Sequence, residues 1–149
     1  MDKTDQIDQM VKEGIGRAVS KEPFAQALGM SLKELSLGHS VVEMAYDPAL
    51  MNNIYARAHG GALFALIDEA FETASQTHGV IAVALNINVT YIKSPEPGDR
   101  LYAQADEVAA TRKTATYAIT VTNAAGDLIA TCQALAYRTG KPVPFSAAP

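Results

Sequence analysis

The chain of 149 residues contains one cysteine, Cys132, which excludes an intrachain disulfide framework and a cysteine-rich zinc site. A lone thiol fits a reducing compartment, and the cytoplasm is the expected location. No run of about 20 apolar residues occurs, so no membrane-spanning helix is expected. The opening stretch, Met1 to Gly14, mixes acidic, basic and amide residues around no apolar core, and neither a secretory signal nor a membrane anchor is read there. Basic blocks are missing too. Twelve Lys+Arg against sixteen Asp+Glu leave a formal charge of -4, which argues against nucleic acid as a partner. The chain lacks His-x-His and His-Glu-x-x-His spacings, a glycine-rich phosphate loop, and a nucleophile elbow around Ser36, Ser75 or Cys132. No metal and no cofactor are therefore expected, and serine or cysteine hydrolase chemistry has little to stand on.

What is present suffices for one compact domain, since 48% of the residues are hydrophobic and the length supports a single core. From Thr4 to about Ser20, Ile7, Met10, Val11, Ile15 and Ala18 recur at three- and four-residue steps, as one stripe of an amphipathic helix would, although Gly14 and Gly16 weaken it. Met30 to Leu37 and Ser40 to Tyr46 read as two strands turning at Gly38-His39, and Asp47 to His59 as an irregular stretch. Gly60 to Thr77 is apolar on every helical face, so that helix must be enclosed. Four extended runs follow: about Val80 to Lys93, Asp99 to Ala109, Lys113 to Asn123 and Asp127 to Thr139. In the first, Ile81, Val83, Leu85, Ile87, Val89 and Tyr91 alternate with smaller or polar residues. Short connections favour antiparallel neighbours. The implied architecture is α+β: a long central helix wrapped by an antiparallel sheet of about six strands, with an extra N-terminal helix. The expected division is an N-terminal helical segment over residues 1–29, the main domain over 30–140 and a loose tail over 141–149.

Within the apolar helix stands Asp68, four residues before Glu72. A lone carboxylate there costs several kcal/mol in desolvation unless it is paired, hydrogen-bonded or needed for chemistry. Two readings stay open: a functional acid, or a wet helix face formed by Asp68, Glu69 and Glu72. His59-Gly60-Gly61 opens the same helix, and glycines at a helix N-terminus let a ligand approach backbone N–H groups that can polarise a carbonyl oxygen. A tight loop-to-helix turn is the plainer explanation of those glycines, and His59 alone reads more readily as a structural histidine.

The run from Asn53 through Tyr55, His59-Gly60-Gly61, Phe64 and Asp68 to Phe71, followed by Ala82-Val83-Ala84, Tyr91, Pro97-Gly98-Asp99 and Arg112, resembles the phenylacetate-degradation-type acyl-CoA thioesterases of the hotdog superfamily. The resemblance covers roughly Leu32 to Arg138. It implies the hotdog fold, subunits paired edge to edge into a homodimer, and commonly a further doubling to a homotetramer. By position it puts the catalytic carboxylate on Asp68, the oxyanion-polarising N–H on Gly60 beside His59 and Gly61, and the positioning amide on Asn53. Asn86 matches a strand position that in some relatives carries a small hydroxyl residue near the attacking water. Two departures stand out: Ala56 where relatives often have Gly, and Glu72 where some have Thr.

The substrate so implied is an acyl-CoA, with its phosphates near a basic cluster for which Arg112-Lys113, Arg57 and Lys93 are the candidates. Asp68 would act as general base or attack the carbonyl directly. A non-catalytic hotdog protein that binds acyl-CoA as a sensor is the alternative. Hydratase chemistry fits less well, because His59 lies outside the loop that carries the hydratase histidine. One constraint comes from helix geometry alone: at 1.5 Å per residue, Gly60 and Asp68 are about 12 Å apart along the axis, so both can serve one carbonyl only if they come from different subunits.

Overall fold

The computed structural model describes residues 6–145. Helix α1 spans Gln9–Lys21 and starts where the Asp8 side chain accepts from the Met10 and Val11 N–H groups, so it begins later than the apolar stripe implied; Thr4 lies outside the described residues. Two short helices, α2 (Pro23–Ala27) and α3 (Pro48–Met51), each carry proline in the first turn and are too brief to show a helical period in the sequence. The hairpin β1 (Ser31–Ser36) and β2 (His39–Ala45) precedes helix α4 (Gly60–Ser75). Four long strands follow: β3 (Val80–Tyr91), β4 (Arg100–Ala110), β5 (Thr114–Asn123) and β6 (Leu128–Pro142).

The strands form one antiparallel sheet in the order β1-β2-β4-β5-β6-β3, curled around α4. Leu66, Ile67, Ala70, Phe71 and Ala74 of α4 are buried against the concave face, and Phe71 meets the Tyr117 ring edge-on at 5.3 Å between centroids. The enclosure that an apolar surface all round requires is incomplete in the single chain: Gly61, Phe64 and Glu72 are exposed and Asp68 is half-buried along one face of α4. The order leaves β1 and β3 as the two edges. Helix α1 closes the gap between them: Val11, Ile15 and Val19 form a second small core with Leu35 of β1 and Val143, against which Ile81 of β3 and Phe145 also pack.

Two expectations need correcting. The period-two pattern of β3 is interrupted by a bulge between Ala84 and Asn86, which places the extra residue at Leu85 and switches the faces. Ala82 before the bulge and Ile87 and Val89 after it face the core, whereas Val83 and Leu85 are 47% and 59% exposed. The chain is also not loose from residue 141 onward: β6 runs to Pro142, Val143 is 2% exposed, and its N–H donates to the Gly79 carbonyl at 3.0 Å. The rest of the expected tail, residues 146–149, lies outside the described residues.

Candidate active site

The loop before α4 is a compact structure. An isolated bridge joins Asn52 to Ala58, and the Asn53 N–H donates to the Arg57 carbonyl at 2.7 Å. The Asn53 Oδ1 accepts from the Tyr55 and Arg57 N–H groups at 2.9 and 3.1 Å, which leaves the amide NH2 as the donor side of the group. The turn needs Ala56 at φ 55, a left-handed conformation that glycine adopts without cost. That is the physical reason a glycine suits this position.

His59 caps α4, its Nδ1 accepting from the Gly61 N–H at 2.8 Å. Gly61 therefore spends its N–H inside the cap, and His59 is committed to holding the helix end. The Gly60 N–H belongs to the first turn and has no intrahelical acceptor. Tyr91 of β3 lies against this position: its hydroxyl donates to the Gly60 carbonyl at 3.0 Å, and a Cβ on Gly60 would come within 3.1 Å of the ring. A cavity of about 280 Å3 opens here between Gly60, Leu63, Tyr91 and Lys93. In the sequence Tyr91 shows only as the end of the alternating run and as part of the family pattern; its contact with Gly60 depends on how β3 lies against α4 and could not be read from spacing.

Asp68, two turns along α4, is half-buried and lines a different cavity of about 270 Å3 with Phe71, Glu72, Gln76, Val83 and Ala84. Burial first, and the Glu22 charge second, raise its carboxyl above the ordinary carboxylate value. Glu72 lines the same cavity and is raised for the same leading reason. The wet-face reading of the three acids fails at Glu69, which is only 3% exposed. The α1–α2 corner covers it, and burial, reinforced by Glu22, pushes its carboxyl up to about 8. The sequence pointed to Glu69 only as part of a wet face, and nothing in its spacing joined Glu22 to these acids.

The four basic candidates do not form one cluster within a protomer. Arg112 and Lys113 are exposed at the β4–β5 turn, where the Lys113 ammonium sits 5.6 Å from the Tyr137 ring centre. Lys93 is at the opposite end of the sheet, paired with Asp127 at 2.8 Å. Arg57 is exposed in the loop ahead of α4. Asn86 is exposed on the outer edge strand, just past the bulge. The structure thus splits the expected site residues into two groups: Asn53, His59, Gly60, Gly61, Arg57 and Lys93 at one end of β3, and Asp68, Glu72, Arg112 and Lys113 towards the other.

A six-stranded antiparallel sheet curled around one long helix is the hotdog arrangement that the sequence resemblance implied. The Thioesterase superfamily profile matches residues 55–130, and the chain belongs to that family. Its similarity to an Archaeoglobus fulgidus protein is 35% identity over 136 residues, 91% of this chain and 88% of that one. The acyl-coenzyme A thioesterase PaaI of Escherichia coli is 30% identical over 116 residues, 78% of this chain and 82% of that one. The solved structure of the E. coli PaaI protein superimposes with a TM-score of 0.86 at 26% identity, covering 91% of this chain and 98% of that chain. A Streptococcus mutans protein bound to acetyl CoA aligns with a TM-score of 0.72 at 30% identity, over 76% of this chain and 91% of that chain. The hotdog fold implied by the sequence resemblance is the fold of these structures.

Proposed function

We propose that this protein hydrolyses acyl-CoA thioesters at sites shared between two copies of the chain. The observation that carries this reading is the position of the two cavities along β3. The Gly60 cavity abuts Tyr91 at the end of the strand, and the Asp68 cavity abuts Val83 and Ala84 near its start. β3 is an unpaired edge of 12 residues with exposed Val83 and Leu85, the kind of edge that pairs with another strand. Antiparallel pairing of two β3 strands about a two-fold axis sets the start of one beside the end of the other. Each Gly60 cavity then faces the partner subunit's Asp68 cavity. The same operation brings Lys93 and Arg57 of one chain towards the partner subunit's Arg112 and Lys113, which assembles a basic cluster suited to the CoA phosphates. Two such dimers forming a homotetramer belong to the same proposal, as does a cytoplasmic location.

In that arrangement the thioester carbonyl oxygen accepts from the Gly60 N–H, and the Asn53 amide holds the carbonyl or the water. The partner subunit's Asp68 takes a proton from water as the water oxygen bonds to the carbonyl carbon. The C–S bond then breaks, and the CoA thiolate leaves and takes a proton back, giving a free acid and CoA. The raised carboxyl makes Asp68 more basic than an ordinary aspartate, which suits it to take a proton from water or to attack the carbonyl carbon itself. Asn86, just past the middle of β3, is placed to contact the water from the pairing strand. EDTA-treated protein mixed with acetyl-, octanoyl- and arylacetyl-CoA should release free thiol from at least one ester. Release from none of them would reject the enzymatic reading in favour of a binding protein.

A further inference from the structure

A cavity of about 550 Å3 lies beneath α1 and shares Glu72, Gln76, Ala82 and Val83 with the Asp68 cavity. Its walls are of two kinds. Ile15, Val19, Ile81, Val83, Val143 and Phe145 make an apolar chamber. At one wall Glu22, Glu69 and Glu72 bring carboxylate oxygens within 4.8 Å of one another. Convergence of three acids beside apolar surface is unfavourable unless something neutralises them or bonds to them. Desolvation and neighbouring acids dominate at Asp68, Glu69 and Glu72, and no Lys, Arg or His is among the influences on them. Glu69 shares one hydrogen bond with Glu22, while its Oε1, on a side chain 97% removed from solvent, has no hydrogen-bond partner. A buried carboxyl oxygen left alone in this way is destabilising unless a ligand supplies the missing donor.

Resting on the thioesterase reading, we propose that this chamber receives the acyl group, and that the protein selects acyl chains with an apolar body and a hydrogen-bond donor, hydroxyl or ammonium, that reaches Glu69. The apolar walls take the hydrocarbon, and the donor meets the one buried carboxyl oxygen that, among the described residues, has no partner. The continuity of the chamber with the Asp68 cavity gives the chain a path from the scissile carbonyl to the acids. The substrate class is thus set where α1 and the α1–α2 corner close over Glu69 of α4.

The test is a set of CoA esters at six, eight and ten carbons, each made in plain, ω-hydroxy and ω-amino form, assayed by thiol release from the full chain at pH 7 with acetyl-CoA as reference. At one or more lengths, a hydroxy or amino ester should exceed its plain counterpart in kcat/KM by about tenfold, the worth of a hydrogen bond to a buried carboxyl. Glu69→Leu should abolish that preference. Should that variant fail to fold, Ala18→Trp, in the partly exposed roof of the chamber, should lower kcat/KM for the ten-carbon esters relative to acetyl-CoA. Equal rates for plain and substituted esters, a preference that persists in Glu69→Leu, or an unchanged chain-length ratio in Ala18→Trp would overturn the assignment while leaving the thioesterase reading intact. A rise in melting temperature with millimolar Ca2+ that Glu69→Gln removes would also overturn it, by giving the acids to a cation. If no ester is hydrolysed, acetyl-CoA included, both readings fall together.

Discussion

The acids of α4 differ by burial rather than by chemistry. Asp68 and Glu72 line the smaller cavity beside β3, whereas Glu69, almost wholly buried, lines only the chamber under α1. For Asp68, replacement by asparagine keeps the shape and removes the base. Asp68→Asn should therefore retain its fold and its affinity for acyl-CoA while kcat drops by about 10²- to 10⁴-fold. Near-normal turnover in single-turnover kinetics would reduce Asp68 to a tolerated half-buried polar group. For Glu69, the folded carboxyl holds its proton up to about pH 8, well above its ordinary value of 4.5. Between those two values the folded chain keeps a proton that the unfolded chain has lost, so raising the pH favours unfolding. The melting temperature of the wild type should fall from pH 5.5 to 8 more steeply than that of Glu69→Gln. Parallel curves would mean that Glu69 is charged in the fold. Asp68, Gly60 and Asn53 were legible in the sequence because they lie in one short run at fixed spacing. The fate of Glu69 was not, because its cover comes from Glu22 and Val19, far earlier in the chain.

Among the elements, α1 shows how the same residue type serves two purposes. Gly14 and Gly16 both lower helix propensity, but only Gly14 has a structural reason: a Cβ there would lie 2.3 Å from the Phe145 carbonyl oxygen. Nothing lies within 4 Å of the same position on Gly16. Gly16→Ala should stabilise the protein by about 0.5–1 kcal/mol in urea unfolding. Gly14→Ala should destabilise it and speed hydrogen exchange of the Val143 N–H. Equal effects of the two substitutions would show that the 143–145 segment does not rest on α1. The helices and strands themselves were largely readable from apolar periodicity, and all six strands of the sheet follow the extended runs closely. The bulge at Leu85 was not readable, since a bulge is set by pairing with β6 and leaves the alternation of residues in the sequence unbroken. With it, Val83 and Leu85 both stand exposed on the free edge that the proposed dimer would pair.

At the scale of the whole molecule, the proposed chemistry is divided between the two ends of one chain. The Gly60 N–H and the Asp68 carboxylate, to which the proposal gives the carbonyl and the water, are about 12 Å apart along one helix axis, and the two residues line separate cavities. The length of β3, its position at the sheet edge and its exposed apolar residues supply the means of bringing the two halves together in a dimer. The most direct measurement is complementation between two inactive variants, Asn53→Ala and Asp68→Ala, mixed under conditions in which subunits exchange. Each mixed dimer would pair an intact Asn53 and Gly60 from one chain with the partner subunit's intact Asp68, making one working site of two. With random pairing half the dimers are mixed, so about a quarter of wild-type thioesterase activity should return. If labelled subunits are seen to exchange and no activity returns, the shared site is wrong and Gly60 loses its role at the thioester carbonyl.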